Sequence, residues 1–350
     1  MNWFRDNIAG LEAYQPGFQP REAGFVKLNT NENPYPPSPR ALAAVREIAD
    51  DRLRRYPDPT SDRLREVIAE VYGVSVERVI AGNGSDELLA MALRCFAGEG
   101  DVVAYPAPSY SLFGVLARIQ GAKPVEYDLD EDFGLPEAFF SAQASIKLLA
   151  SPNSPTGTVY PVETIQRLLA ESEGVVLVDE AYVDFAEESC LPLLLDCPNL
   201  LVTRTCSKSY SLAGARVGYA FASEEIISGL MKVKDSYNLN AVSAAAAAAA
   251  LADREYFFLT AERIVTQRER LKETLSGLGF SVFPSGANFL LCRPPEGRAG
   301  ELYEALFERK ILVRWFDTPR LREFIRISVG TPEEMDILTG AIGEILSRKE

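Results

Sequence analysis

The chain has 350 residues, 47% of them hydrophobic and 25% charged, with a formal net charge of -14. Those proportions describe an ordinary globular protein with room for one large core and a smaller lobe. The acidic balance argues against nucleic acid or an anionic membrane as the main partner, so any phosphorylated ligand needs a local cluster of arginines.

Residues 1–40 are rich in Pro, Asn and Gly, notably Leu28-Asn29-Thr30-Asn31-Glu32-Asn33-Pro34. They read as an extended arm that must pack on something to be ordered. A helix is expected from Ser38 to Ile48, with Pro39 in its first turn. A second follows Asp62, with Leu64, Val67, Ile68 and Val71 on one stripe and Gly73 at its end. Alternating units come next. Val79–Ala81 leads into Gly82-Asn83-Gly84-Ser85-Asp86 and a helix to Phe96; Val102–Tyr105 leads into a helix from Tyr110 to Gln120. Ile146–Ala150 precedes Ser151-Pro152-Asn153-Ser154-Pro155-Thr156-Gly157. A helix over 162–171 is followed by a strand ending at Asp179, and Leu200–Arg204 leads into a lysine loop. Short apolar strands alternating with helices indicate an α/β fold with a mainly parallel sheet covered on both faces. An alanine-rich helix over 240–252 and a long one from Arg254 to Leu278 follow. The remainder reads as a smaller α+β lobe that closes with a helix from Pro332 to Arg348. The expected division is an arm over 1–40, a large domain over 41–250 and a small domain over 251–350.

Ligands in open α/β sheets collect at the carboxyl ends of strands. Gly84-Ser85-Asp86, Tyr110, Asn153, Asp179 with Tyr182, and Ser207-Lys208 all fall at or just after such ends. Gly82-Asn83-Gly84-Ser85 opens a helix and suits a phosphate, although Glu87 breaks the GxGxxG dinucleotide pattern. A lysine among small polar residues, Thr205-Cys206-Ser207-Lys208-Ser209, with Arg216 between Gly214 and Gly218, suits a pyridoxal phosphate pocket. Lys208 would bond the cofactor, Ser207 and Arg216 would hold its phosphate, and Asp179 would pair with the pyridinium nitrogen. Each residue also has a plainer reading: a solvated loop lysine, a helix cap or salt bridge for Asp179, and core aromatics for Tyr110 and Tyr182. The chain contains no histidine, so proton transfer near neutral pH falls to lysine, tyrosine, cysteine or a carboxylate.

No apolar run reaches the roughly 18 residues that span a bilayer, and the N-terminus lacks the pattern of a signal peptide. Cys95, Cys190, Cys197, Cys206 and Cys292 show no CxxC spacing, so a cytoplasmic location is expected, without disulfides or a metal site. Cys206 lies beside Lys208 but has no histidine to activate it as a nucleophile.

The segments Ser151 to Gly157, Val178-Asp179-Glu180-Ala181-Tyr182 and Ser207 to Arg216 together resemble the fold-type-I pyridoxal phosphate aminotransferases of class I/II. The arm from Leu28 to Pro39 and the run Arg54-Arg55-Tyr56-Pro57-Asp58 look like the histidinol-phosphate aminotransferase branch. The resemblance runs over essentially the whole chain. It implies a seven-stranded-type central sheet in the large domain, and pyridoxal 5'-phosphate as cofactor. Lys208 would be the Schiff-base lysine and the acid/base of the proton shift. Asp179 would bind the pyridine nitrogen, and Asn153 and Tyr182 the phenolic oxygen. Gly84, Ser85, Asp86, Ser207 and Arg216 would surround the phosphate, with Tyr110 against the ring. Tyr56 would arrive from a second subunit, making a homodimer with shared sites, and the arm would pack on the small domain and that partner. Arg326 would meet the anionic end of the substrate, with Tyr14, Asn33, Tyr237 and Arg314 as companions. Ser154 departs from the asparagine common in the family, which bears on the turn and on a cis Ser154-Pro155 peptide.

The implied reaction is transamination between L-histidinol phosphate and 2-oxoglutarate, in histidine biosynthesis. An aromatic amino acid aminotransferase, or a decarboxylase of a phosphorylated amino acid, would use much the same residues, because Arg326 can bind carboxylate or phosphate. A non-catalytic metabolite sensor would have lost some of the pocket groups, and a nicotinamide-linked dehydrogenase would leave Lys208, Asp179 and Arg216 unexplained.

Overall fold

The computed structural model describes residues 3–12, 14 and 16–347. Its centre is a seven-stranded sheet in the order Val79–Gly82, Gly218–Ala222, Leu200–Thr205, Val175–Asp179, Ile146–Ala150, Val102–Ala107, Lys123–Asp128. All neighbours run parallel except Gly218–Ala222, which is antiparallel to both of its partners. The inner strands are buried but for residues at their ends, as near-continuous runs such as Val-Val-Leu-Val and Ile-Lys-Leu-Leu-Ala require when helices cover both faces. Lys147 within that run is buried and donates from Nζ to the carbonyl oxygen of Phe140 at 2.6 Å. Two apolar cores flank the sheet, one built around Val178, Val202 and Tyr219, the other around Leu148, Leu177 and Ala220.

The expected helices form with small shifts of their ends: Pro39–Ile48, Asp62–Tyr72, Ser85–Phe96, Leu112–Gln120, Val162–Ala170, Ala241–Ala252, Arg254–Gly277 and Pro332–Ser347. Arg348 lies outside the described residues. Ser38 caps the first of these by accepting from the amides of Arg40 and Ala41. Gly73 ends the second in the left-handed region at φ 66°. The Ala241–Ala252 helix packs closely on Pro39–Ile48 and Asp62–Tyr72, as its small side chains allow.

A four-stranded antiparallel sheet, Arg314–Trp315, Ile325–Ser328, Phe289–Arg293 and Ser281–Val282, carries a separate apolar core. The arm joins both layers. Its short helix Asp6–Ala9 rests on Leu112–Gln120, with Asn7 Nδ2 donating to the carbonyl of Arg118 at 2.7 Å. Its strand Val26–Lys27 pairs in parallel with Ile311–Leu312. The first part of the arm thus lies against the central sheet's helices, and only the later part lies beside the smaller sheet. Among the described residues no helix is long and apolar enough to cross a membrane, no group of side chains is arranged to hold a metal, and all five cysteines are free.

Candidate active site

Strand ends, the arm and the smaller sheet enclose a cavity of roughly 220 Å³. It is lined by Lys208, Asp179, Tyr182, Ser207 and Arg216 from the central sheet, and by Arg314, Phe316 and Arg326 from the smaller lobe. Tyr14 and the run Asn29-Thr30-Asn31 close it from the arm.

Asp179 ends its strand at 5% exposure, accepting from Thr203 Oγ1 at 2.9 Å. Burial pushes its carboxyl up to about 7, the Thr203 hydrogen bond opposes that rise, and Asp86 adds to it. No arginine or lysine pairs with it among the described residues, so its charge awaits a cation. A pyridinium N–H is a group of that kind. The neighbouring Glu180 is, by contrast, satisfied by a buried pair with Arg204 at 2.7 Å.

Opposite lies an anion cradle. The helix Ser85–Phe96 begins at Gly84, which provides no side-chain cap, so its first N–H groups are open. Arg216, left-handed at φ 54°, brings Nη1 to 3.3 Å from Ser207 Oγ and Nη2 to 3.1 Å from Asp86 Oδ2. The approach is too close for larger residues: a Cβ on Gly84 would lie 2.7 Å from Arg216 Nη2, and one on Gly218 would lie 2.4 Å from the amide nitrogen of Ser85. Two glycines therefore clear space where uncapped amides, a hydroxyl and a guanidinium converge, which fits a phosphate ester. Asp86 also accepts from Tyr110 Oη at 2.9 Å. Burial, then Asp86, hold that phenol well above its ordinary value. The ring of Tyr14 meets Tyr110 edge-on at 6.0 Å.

At the far end, Arg326 donates to neutral acceptors, Ser154 Oγ at 3.1 Å and the carbonyl of Asn29 at 2.9 Å. Its Nε is buried without a partner. Burial holds its pKa below the ordinary value, and the nearby charge of Arg314 lowers it further, against the opposite pull of Tyr182 and Tyr14. A buried guanidinium with an open N–H, beside a second arginine, is a site for an anion.

Several expected pocket residues take other positions. The amide of Asn153 is wholly engaged inside the loop: Nδ2 donates to the carbonyl of Pro108 and to Thr156 Oγ1, and Oδ1 accepts from Ser109 at 2.7 Å. It is Ser154, next along, that lines the cavity. The Ser154-Pro155 peptide is cis. Asn33 braces the lysine loop, donating to the carbonyls of Lys208 and Ser209 at 3.0 and 3.1 Å. Tyr56 and Tyr237 stack on each other at 4.5 Å on the surface, away from the cavity of their own chain, with Tyr56 80% exposed. Cys206 is buried and its thiol is pushed up by that burial, which leaves no reactive thiolate. Residues that sequence reasoning did not single out for the site include Asn29, Thr30, Asn31, Ser109, Thr205 and Phe316. The available signal was the polar run Asn29-Thr30-Asn31, in an arm from which the resemblance had named only Tyr14 and Asn33 for the pocket.

The sequence model of the family described as aminotransferase class I and II matches residues 23–342. Histidinol-phosphate aminotransferase 1 of Nostoc sp. is 44% identical over 351 residues, covering 100% of this chain and 99% of the relative. Histidinol-phosphate aminotransferase of Syntrophotalea carbinolica is 46% identical over 346 residues, covering 99% of this chain and 100% of the relative. Among solved structures, histidinol-phosphate aminotransferase from Sinorhizobium meliloti in complex with pyridoxal-5'-phosphate superposes with a TM-score of 0.91 at 27% identity, covering 100% and 99% of the two chains. Full-length identity of this order, joined to a strand-end lysine, a lone buried carboxylate and an anion cradle around one cavity, places this chain in the class I and II aminotransferase family.

Proposed function

We propose that the protein is a pyridoxal phosphate-dependent histidinol-phosphate aminotransferase, exchanging an amino group between L-histidinol phosphate and 2-oxoglutarate. The observation that carries this reading is the shared cavity of Lys208, Asp179, the Ser207–Arg216 cradle and Arg326, whose buried Nε has no partner. The identity with histidinol-phosphate aminotransferases over full chain lengths supports the substrate.

When bound, the cofactor supplies an electron sink that stabilises the negative charge left on the substrate's Cα. Asp179 would hold the ring nitrogen protonated, its buried charge balanced by that cation. Ser85, Ser207, Arg216 and the amides after Gly84 would anchor the phosphate, with Asp86 and Tyr110 beside them. Lys208 Nζ would take the proton from the substrate's Cα, a task that a chain without histidine leaves to an amine. Tyr182 would donate to the ring oxygen, with Ser154 rather than Asn153 facing the same space. Arg326, with Arg314 and Tyr14, would bind the anionic end of the substrate, and Asn33 would keep the lysine loop in place.

The exposed Tyr56–Tyr237 stack, beside Arg54 and Arg55, suits a second copy of the chain whose site it would complete. On this reading the protein is a homodimer in the cytoplasm, with a large domain over 41–250 and a small one over 251–350. The test is an absorbance spectrum of purified protein with pyridoxal phosphate, before and after borohydride, and then with L-histidinol phosphate or phenylalanine. A visible band that borohydride fixes and that L-histidinol phosphate bleaches supports the reading. Equal kcat/KM for phenylalanine would overturn the substrate, and absence of the band would overturn the cofactor.

A further inference from the structure

Asn31 is a non-glycine residue in the left-handed region, at φ 56° and 1% exposure. Asparagine tolerates that backbone better than most residues, because its short polar side chain can bond locally. Every polar group it carries is engaged. Its amide N–H donates to Ser328 Oγ at 2.9 Å, and Ser328 Oγ donates to Asn31 Oδ1 at 2.8 Å. Its carbonyl accepts from Asn288 Nδ2 at 3.0 Å. Its Nδ2 donates to Tyr182 Oη at 2.9 Å.

These bonds favour one polarity: with the amide turned over, Ser328 Oγ would accept both N–H groups of Asn31 and its own proton would have no acceptor among the described residues. Ser328 accepts the backbone N–H, so its own hydroxyl proton is free to go to Oδ1. With Oδ1 fixed on Ser328, the side-chain NH2 must face Tyr182. The phenol oxygen is then an acceptor on the Asn31 side. Its own proton has no protein acceptor among the described residues, and the side chain lines the cavity. We infer that Asn31 and Ser328 are positioning residues that direct the hydroxyl proton of Tyr182 into the cavity, onto the ring oxygen of the cofactor. The inference rests on the proposed cofactor and deepens the account of that same site. The polarity is imposed from outside the central sheet, since Asn31 belongs to the arm and Ser328 to the smaller sheet.

The decisive variant is Asn31→Asp. It keeps the size and the tolerance of left-handed backbone, but it offers Tyr182 only acceptors and so draws the proton away from the cavity. The readouts on the holoenzyme are the pH midpoint of the visible absorbance band, kcat, and KM for L-histidinol phosphate, each measured in the wild-type and Tyr182→Phe backgrounds. Beside wild-type Tyr182, the midpoint should rise by about one unit and kcat should fall about tenfold, with KM within about twofold. In the Tyr182→Phe background the same change should move neither the midpoint nor kcat, because the two residues act as one unit. Ser328→Ala, which frees the amide to turn over, should give a smaller shift of the same sign that also vanishes with Tyr182→Phe. An unshifted midpoint in both Asn31→Asp and Ser328→Ala would overturn the inference. So would a shift of equal size in the two backgrounds, which would mark a plain charge effect. If the unsubstituted protein takes up pyridoxal phosphate and turns over while the variants titrate as it does, only this inference fails. If it takes up none, the proposed function fails as well.

Discussion

Lys208 donates from Nζ to the backbone carbonyl oxygen of Thr30 across 3.2 Å, joining residues 178 positions apart. A carbonyl holds an ammonium less firmly than a carboxylate does, so the bond places Nζ over the cavity and can still be exchanged. The face of Tyr182 lies 5.5 Å from the same nitrogen. Lys208→Ala should therefore leave the fold intact and remove borohydride fixation of the cofactor. Turnover should fall by at least about 10³-fold, checked by single-turnover kinetics on the reconstituted variant.

Asp179 yields a prediction about pH. Its folded-state pKa, about 7, lies above the ordinary aspartate value of about 4. A carboxyl raised in this way favours the folded chain fully only below the unfolded pKa. That contribution is lost as pH rises from about 4 through about 7. Without cofactor the protein should thus be less stable to urea at pH 8 than at pH 5, and Asp179→Asn should remove much of the difference. Between those two pH values the effect is bounded by about 3 kcal/mol. Added pyridoxal phosphate should stabilise the unsubstituted protein at pH 8 and do less for the variant. A variant with an unchanged pH profile would contradict the account of Asp179.

At Gly218 the obstacle is backbone. A methyl group there would lie 2.4 Å from the amide nitrogen of Ser85 and 2.5 Å from the carbonyl carbon of Gly84. Gly218→Ala should cost about 1–3 kcal/mol of stability and weaken cofactor binding, since the same backbone forms the anion cradle. Urea denaturation and equilibrium titration with pyridoxal phosphate check both effects.

Arg326→Lys keeps a charge but loses the planar fork that reaches Ser154 and Asn29 at once. The expected result is a KM for L-histidinol phosphate raised about tenfold or more, with the cofactor spectrum unchanged. Arg216→Lys should do the opposite, weakening cofactor uptake before substrate affinity.

The proposed dimer has its own test, by mixing. Lys208→Ala and Tyr56→Ala subunits would each be nearly inactive alone. Refolded together, they should recover activity, because a mixed pair has one site with both residues intact. No recovery in mixed dimers isolated by two tags would exclude a site completed by Tyr56 of a second copy.

What the sequence made legible follows physical range. Lys208, Asp179 and Arg216 were readable because strand ends, flanking glycines and an apolar run are local signals. The buried strands of the central sheet were readable for the same reason. Lys123–Asp128 lies at the sheet edge with no residue fully buried, and Gly218–Ala222, though buried, runs antiparallel directly after the lysine loop, so neither carries the buried-parallel pattern. The position of Asn153 depends on the carbonyl of Pro108, and that of Asn33 on the backbone of the lysine loop. Asn31 acquires its part from Ser328, 297 positions away, a distance at which no periodicity or spacing gives a signal.

The two-residue pairing of Val26–Lys27 with Ile311–Leu312 also has a consequence in time. During synthesis the arm emerges before the central sheet, and its strand partner after it. The central sheet can condense in between, since its strands all lie between Val79 and Ala222. The strand and the Ser328 contacts that hold Thr30 and Asn31 in place form only after Ile311–Leu312 and Ser328 have left the ribosome. The cavity is thus closed as a final act of assembly, and a nascent chain with a finished central sheet still has an open, unguarded lysine.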